Sequence, residues 1–214
     1  MKQEKLNKRL YKAIKNGNLE KAKSLINKGA DVSFTLLYNA AAKIFFKDSE
    51  INKYLLELTK LLLENGADPN LQTATGQAPL YYAVRAENFD LVKLLIENGA
   101  DVNVQDKDDE TPLRYAVYKD HCDIIKYLIE NGADVNVQDK DDWTLLHWAA
   151  YQRNINIIKL MIENGADPFI KNKDGKIPLD LCESEEIRSL LEKYMEDYKQ
   201  ISPTPSIDNN DIEV

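Results

Sequence analysis

The side chains that most often do chemistry are scarce in this sequence. It contains two histidines, His121 and His147, and two cysteines, Cys122 and Cys182. A histidine can act as a general acid or base and a cysteine as a nucleophile, but each needs a partner at a suitable spacing. No C-x-x-C pair, Gly-rich phosphate loop, G-x-S-x-G elbow or H-E-x-x-H stretch is present. The sequence therefore predicts no catalytic residue, no metal site and no cofactor, and we interpret Cys122 as a buried small apolar residue.

Aromatic and arginine side chains recur at one fixed spacing along the chain, and these residue types often dominate the energetics of protein interfaces. Three columns can be written with this spacing: Tyr82, Tyr115 and Trp148; Arg85, Tyr118 and Tyr151; and Tyr81, Arg114 and His147. The first column either packs between repeats or faces a partner, whereas the second column should point outward. The columns predict contacts with a protein partner.

Two acidic stretches, Asp106–Glu110 and Asp139–Trp143, lie in polar turns that are separated by the same spacing. Their carboxylates form either a solvated acidic rim or a row that attracts a basic segment of a partner. Neither stretch has the spacing of a calcium loop. We expect Trp143 to be exposed at the tip of its turn, which makes it the strongest single binding candidate. The partner-binding candidates are Tyr82, Arg85, Arg114, Tyr115, Tyr118, Trp143, Trp148, Tyr151, Asp108, Glu110 and Asp141.

An internal repeat must position all of these side chains. The string Glu-Asn-Gly-Ala-Asp begins at Glu64, Glu97, Glu130 and Glu163, which are evenly spaced. A period of about 33 residues is typical of stacked helical repeats. Each full unit (71–103, 104–136, 137–169) reads as a polar turn, a short helix and a second amphipathic helix. A glycine just past each second helix fits a left-handed residue.

Several segments resemble the ankyrin repeat family, whose repeat unit has this length and carries a Thr-Pro-Leu-His-x-Ala signature. They are Thr111-Pro-Leu-Arg-Tyr-Ala116, Thr144-Leu-Leu-His-Trp-Ala149, and Gly-Ala-Asp-Val-Asn at 99–103 and 132–136. The resemblance covers roughly residues 5–199 and implies an all-α solenoid of stacked helix-turn-helix units with hairpin loops. It also implies that Asp106, Asp139 and His147 are structural. Other residues replace family glycines at interhelix and hairpin positions: Glu87, Asp120 and Arg153, and Asp109 and Asp142.

We predict one repeat domain over residues 1–199 and a disordered tail over residues 200–214. The six repeats lie at about 5–33, 34–70, 71–103, 104–136, 137–169 and 170–199, and the two end repeats are caps. The second repeat contains an insertion of ten residues near Phe45 and Phe46. This insertion is either loop drift or a projection toward a partner. A helical stripe from Ile51 to Leu62 predicts a longer second helix there.

The net charge of −8 and the pI of about 4.9 argue against nucleic acid or anionic lipid as the main partner. The first 28 residues are nevertheless strongly basic. No apolar run could span a membrane, and the first ten residues have no signal-peptide core. We predict a cytoplasmic, monomeric, noncatalytic scaffold that binds a partner protein through a concave groove and its hairpin tips. The alternatives are an effector secreted into a host cell to bind a host protein, and an inhibitor or accessory subunit of one enzyme.

Overall fold

The computed structural model describes residues 2–32 and 49–201, excluding the side chains of residues 49–52 and 201. The insertion residues Phe45 and Phe46 lie outside the described residues. The described part forms ten α-helices and one 3₁₀ helix, Pro178–Leu181. The α-helices are α1 (Lys2–Lys15), α2 (Leu19–Ile26), α3 (Ser49–Glu64), α4 (Pro79–Arg85), α5 (Phe89–Glu97), α6 (Pro112–Lys119), α7 (Cys122–Glu130), α8 (Leu145–Tyr151), α9 (Ile155–Glu163) and α10 (Glu185–Ile201).

The chain divides into two compact units, Met1–Asp134 and Val135–Val214. In the first unit α1 packs on α2, α2 on α3 and α3 on α5. There α4 also packs on α5 and α6, and α7 packs on α5 and α6. In the second unit α8 packs on α9 and on the 3₁₀ helix, which in turn contacts α10. The single domain over residues 1–199 stays a prediction, and α10 ends at Ile201, two residues past that predicted boundary.

The second helix of each full repeat buries one apolar stripe, as the periodicity predicts. In α5 the buried residues are Leu91, Val92 and Leu95, and the same positions are buried in α7 and α9. Full burial of one such side chain contributes about 1.5–3 kcal/mol. The longer helix predicted in the second repeat is confirmed, because α3 has 16 residues and buries Leu55, Leu58 and Leu62.

The helix starts follow from their capping residues. The Thr111 hydroxyl oxygen accepts a hydrogen bond from the backbone N–H of Arg114 at 3.2 Å, and Pro112 occupies the first turn of α6. Asn88 caps α5 by accepting from the N–H of Leu91 at 3.0 Å. Such caps satisfy N–H groups that have no partner within the helix. The pair Thr111-Pro112 predicts this start from the sequence, because threonine favours the N-cap and proline the first helical position, and the structure confirms it.

Asparagine side chains at the repeat period join successive repeats. In the first unit Asn70 donates to the carbonyl of Gly99 at 2.8 Å and accepts from the N–H of Asp101 at 2.7 Å. Asn103 makes the same pair of bonds one repeat later, with Gly132 at 2.9 Å and Asp134 at 2.8 Å. Each side chain satisfies two backbone groups of the next repeat, which fixes the register of stacking.

Within the part of the chain that the structure describes, five residues other than glycine have left-handed backbone conformations, and all five align with family glycines. The φ angles are 54° at Glu87, 61° at Asp120 and 57° at Arg153, after the first helices. In the hairpin tips they are 58° at Asp109 and 59° at Asp142. A side chain in this region costs roughly 1–2 kcal/mol, and less for Asp, which tolerates it better.

Glycine substitutions at two adjacent residues after α4 are expected to change the free energy of unfolding in opposite directions. Glu87→Gly should raise the free energy of unfolding by about 0.5–1 kcal/mol, because it relieves the left-handed strain. Ala86 has a right-handed φ of −84°, so Ala86→Gly should lower the same quantity by about 0.5–1 kcal/mol. Urea unfolding followed by circular dichroism measures both changes. Destabilisation by Glu87→Gly would show that interactions of the Glu87 side chain stabilise the fold by more than the left-handed backbone strain costs.

The interpretation of Cys122 as a buried apolar residue is wrong. Cys122 is exposed at the first position of α7, and Phe89, one repeat earlier, is 39% exposed. Both residues are the first of a second helix, directly after the turn. A side chain at this position contacts the fold on one side and faces solvent on the other. Partial desolvation, followed by the Asp120 carboxylate, raises the pKa of the Cys122 thiol. Cys122 is therefore a poor nucleophile at neutral pH.

Candidate protein-binding surfaces

A buried carboxylate organises the hairpin tip of the second unit. Asp139 is 6% exposed, and its Oδ1 accepts from the N–H groups of Asp141 at 2.8 Å and Trp143 at 2.9 Å. Its backbone N–H donates to the Trp143 carbonyl at 3.0 Å, which closes the turn. Its Oδ2 accepts from the indole N–H of Trp148 at 3.1 Å. The structural role implied for Asp139 is confirmed, and the same carboxylate also orients an aromatic ring.

The tip leads into a cluster of aromatic rings. The Trp143 ring centroid lies 4.8 Å from that of Trp148 and 5.7 Å from that of Tyr151, and the Trp148–Tyr151 distance is 6.2 Å. Edge-to-face pairs at such distances are favourable. Trp143 and Trp148 are half-buried, whereas Tyr151 is 62% exposed. We call these three residues the aromatic cluster. The expectation that Trp143 is exposed is wrong, because rings from α8 cover part of it.

The buried His147 packs against one ring of the aromatic cluster, that of Trp143. Its ring centroid is 5.9 Å from that of Trp143, and the residue is fully buried. Its Nδ1 accepts from the N–H of Thr144 at 3.1 Å, so Nε2 carries the proton and donates to the Lys176 carbonyl at 2.9 Å. Burial lowers the pKa of His147, opposed by the Lys176 carbonyl. The imidazole is therefore neutral at pH 7, and its predicted structural role is confirmed.

The buried His147 predicts a loss of stability in mild acid. Its pKa is lowered on folding from 6.5, so the unfolded chain binds more protons below pH 6.5 and stability falls as the pH falls. The slope from this group is at most about 1.4 kcal/mol per pH unit. We expect His147→Gln to remove this slope between pH 7.5 and 5.5, in urea unfolding, whereas His121→Gln retains it. Equal slopes in the two variants would contradict the assignment.

The first unit places five of its candidate residues on α4 and α6. Tyr118 is 56% exposed, as predicted for its column, and the Lys119 ammonium lies 4.6 Å from its ring centroid. Tyr115 is half-buried, and its ring is 5.3 Å from that of Tyr81. Arg85 is exposed at the end of α4. The residues of α4 and α6 that are open to solvent therefore present aromatic rings and positive charges.

Three candidates of the first unit are engaged within the fold. Tyr82 is 7% exposed and its hydroxyl donates to Gln77 at 2.6 Å, which favours packing over partner contact. Arg114 forms a 2.7 Å ion pair with Glu110, and these side chains are 15% and 33% exposed. Glu110 therefore adds little to an acidic row. Asp108 and, in the second unit, Asp141 are exposed at their hairpin tips.

Sequence reasoning missed three contacts that shape these surfaces. They are the Trp148–Asp139 hydrogen bond, the covering of Tyr118 by Lys119, and the ion pair of Glu110 with Arg114. The i, i+4 spacing of Glu110 and Arg114 was a usable signal, because such residues meet on one face of a helix. Each column contains residues of both units. The predicted concave groove along these columns therefore stays a prediction.

These observations define a helical repeat protein that presents exposed aromatic and charged side chains. Two models of ankyrin repeats match the chain, one of three copies over residues 40–139 and one of many copies over residues 119–162. The chain belongs to the ankyrin repeat family, whose repeats generally act as protein–protein interaction modules. No curated protein matches it. The resemblance predicted outside residues 40–162 stays a prediction.

The described residues hold neither a metal-binding arrangement nor a helix that could span a membrane. No group of three or more His, Cys, Asp or Glu side chains in residues 2–32 and 49–201 is arranged to hold a metal ion. Within the same part of the chain, no helix combines the length and apolarity needed to cross a bilayer.

Proposed function

We propose that this chain is a noncatalytic scaffold that binds a partner protein, and that the aromatic cluster of the second unit is its main contact. The supporting observation is the exposure of Tyr151 in a group of rings whose positions are otherwise fixed. Asp139 holds Trp148, and Trp143 packs on both Trp148 and His147. Rings that are already ordered lose little conformational entropy when a partner binds.

The charges beside the cluster indicate the chemistry of the partner. Asp141 is exposed at the same hairpin tip, and Asp142 is half-buried next to Trp143. Aromatic faces attract cations, and carboxylates at the rim speed the capture of a positively charged segment. The proposed partner therefore presents a lysine or arginine side chain to the rings of Trp143 and Tyr151.

A peptide selection tests this proposal. Peptides displayed on phage are selected on the immobilised full chain, and the best binder is synthesised with a fluorescent label for anisotropy titration. We expect Tyr151→Ala to raise the Kd at least tenfold, because central aromatic residues commonly contribute more than about 1 kcal/mol. The peptide should also alter tryptophan emission, since the chain contains two tryptophans and both belong to the cluster.

The chain offers a matched control at the same repeat position. Tyr118 occupies this position one repeat before Tyr151 and is exposed to a similar extent, 56% against 62%. Tyr118→Ala should leave the Kd within twofold of the wild type. An equal loss in both variants, or a loss only with Tyr118→Ala, would move the main contact away from the aromatic cluster.

The other roles raised by the sequence stay predictions. These are the secreted effector, the inhibitor or accessory subunit of one enzyme, and the cytoplasmic monomer. The contacts described above favour none of them over a general binding scaffold.

A further inference from the structure

The first two helices carry a charge opposite to that of the rest of the chain. Residues 1–32 contain nine of the 28 basic side chains and three of the 36 acidic ones, a net charge of +6. The remaining residues contain 19 basic and 33 acidic side chains, a net charge of −14. Such an asymmetry within one chain favours a local interaction that the overall charge of −8 conceals.

The positive charges of α1 lie on one side of the helix. At 3.6 residues per turn they occupy an arc of roughly 140°. The apolar residues Leu10, Ala13 and Ile14 lie outside that arc and are buried, and α1 packs on α2. The arc itself is exposed to solvent. We call it the basic face, and it consists of Lys2, Lys5, Lys8, Arg9, Lys12 and Lys15.

The basic face continues onto α2. Arg9, Lys12 and Lys21 line one shallow recess together with Asn16 and Asn18. Residues 1–32 contain three acidic side chains against nine basic ones. Two of the three form ion pairs, Glu4 with Lys8 at 2.7 Å and Glu20 with Lys23 at 3.2 Å. Both pairs are largely exposed, so each contributes little. Cations three or four residues apart on one helix face repel one another, and an anionic partner would relieve that repulsion.

We propose that the basic face binds an acidic segment of a partner protein. A helix of 14 residues is about 21 Å long, which an extended peptide of about six residues covers. Such a segment fits within the face and avoids the net charge of −14 carried by the rest of the chain. The site differs from the aromatic cluster in unit and in charge preference, so the two proposals stand independently.

Two other anionic partners fit these observations less well. A membrane surface would require exposed apolar side chains beside the cations. In α1 Leu10, Ala13 and Ile14 are buried and Leu6 is half-buried, which leaves Tyr11, at 46% exposed, as the large apolar side chain most open to solvent. A nucleic acid longer than the face would extend past its six cations, and the chain outside residues 1–32 carries a net charge of −14 that does not attract it. Screening over about 8 Å at physiological salt keeps the attraction local to the face.

A titration with a defined probe tests the proposal on the full chain. The probe is a fluorescein-labelled octapeptide with six glutamates, and its anisotropy is measured in 50 mM NaCl. We expect Lys5→Glu/Arg9→Glu/Lys12→Glu to raise the Kd at least tenfold. The matched control is Lys93→Glu/Lys126→Glu/Lys159→Glu, which reverses three exposed charges on α5, α7 and α9. The control should change the Kd less than threefold.

The other outcomes overturn the proposal. Peptide that does not bind the wild type, or that loses affinity equally in the two variants, would exclude a site on the basic face. Phosphatidylserine vesicles or an oligothymidylate bound more tightly than the peptide would exclude an acidic protein segment as its occupant. Circular dichroism melts establish that both variants fold. Were the first variant unfolded, the neutral variant Lys5→Gln/Arg9→Gln/Lys12→Gln would replace it, with an expected loss of at least threefold.

Discussion

Replacing Asp139 by alanine is expected to lower the free energy of unfolding of the second unit by about 3 kcal/mol. The substitution removes three hydrogen bonds to one carboxylate that is 6% exposed. Hydrogen bonds to a charged group contribute roughly 1.5–3 kcal/mol each, and partial access of water to the released N–H groups reduces the total. Urea unfolding followed by tryptophan emission measures the change, because Trp143 and Trp148 report on this tip.

The control for this prediction lies two residues away. Asp141→Ala removes the same charge from the same hairpin, but the Asp141 side chain is exposed. Exposed substitutions of this kind usually change stability by less than about 0.5 kcal/mol. Should the two variants differ by less than about 1 kcal/mol, the Asp139 carboxylate would not be the organiser of the tip.

A milder substitution separates the turn from the aromatic cluster. Asp139→Asn keeps an oxygen for the two backbone N–H groups but turns an amide N–H₂ toward the indole N–H of Trp148. Asn172, one repeat later, already holds its turn with an amide: its Oδ1 accepts from the N–H groups of Asp174 and Lys176, and its buried Nδ2 has no hydrogen-bond partner. We expect Asp139→Asn to retain the turn and to weaken binding at the cluster by freeing Trp148.

The regular features of the fold were predictable because each follows from local chemistry that is repeated at every period. The buried stripe of α5 depends on residue spacing, the start of α6 depends on the side chain of Thr111, and the left-handed position of Glu87 follows from its alignment with a turn glycine. The stripe and the helix start were predicted from the sequence and are confirmed. The left-handed φ of Glu87 agrees with its place in the family pattern. The period also predicted the exposure of Tyr118 and Tyr151.

The candidate site was less predictable, because its geometry depends on contacts between a loop and the following helix. Trp143 follows a polar turn, which predicts exposure, but Trp148 and Tyr151 are one and two helical turns into α8 and cover it. Tyr82 and Trp148 share a column, yet the Tyr82 hydroxyl bonds Gln77 while the Trp148 indole bonds Asp139. A column predicts a shared position, but the local partner determines how much of each ring stays exposed.

Two glycines with the same backbone conformation are expected to respond differently to alanine. Gly76 and Gly99 have φ angles of 82° and 85°, so alanine at either position is strained by roughly 1–2 kcal/mol. A Cβ at Gly99 meets no atom within 4 Å, whereas at Gly76 it would lie 2.9 Å from both Asp106 Cα and Lys107 N. Gly76→Ala should therefore cost about 3 kcal/mol in urea unfolding, against about 1–2 kcal/mol for Gly99→Ala.

The difference between the two variants measures how tightly successive hairpins pack. The Lys107 N–H donates to the Thr75 carbonyl at 3.2 Å, and in the second unit the Lys173 N–H donates to the Asp141 carbonyl at the same distance. Asp142 occupies the position of Gly76 in that second pair, with a φ of 59°, so a side chain there is tolerated after a small shift. For this reason we expect an excess cost of about 1–2 kcal/mol at Gly76 and not loss of the fold. Equal costs at Gly76 and Gly99 would show that the hairpin tips separate freely.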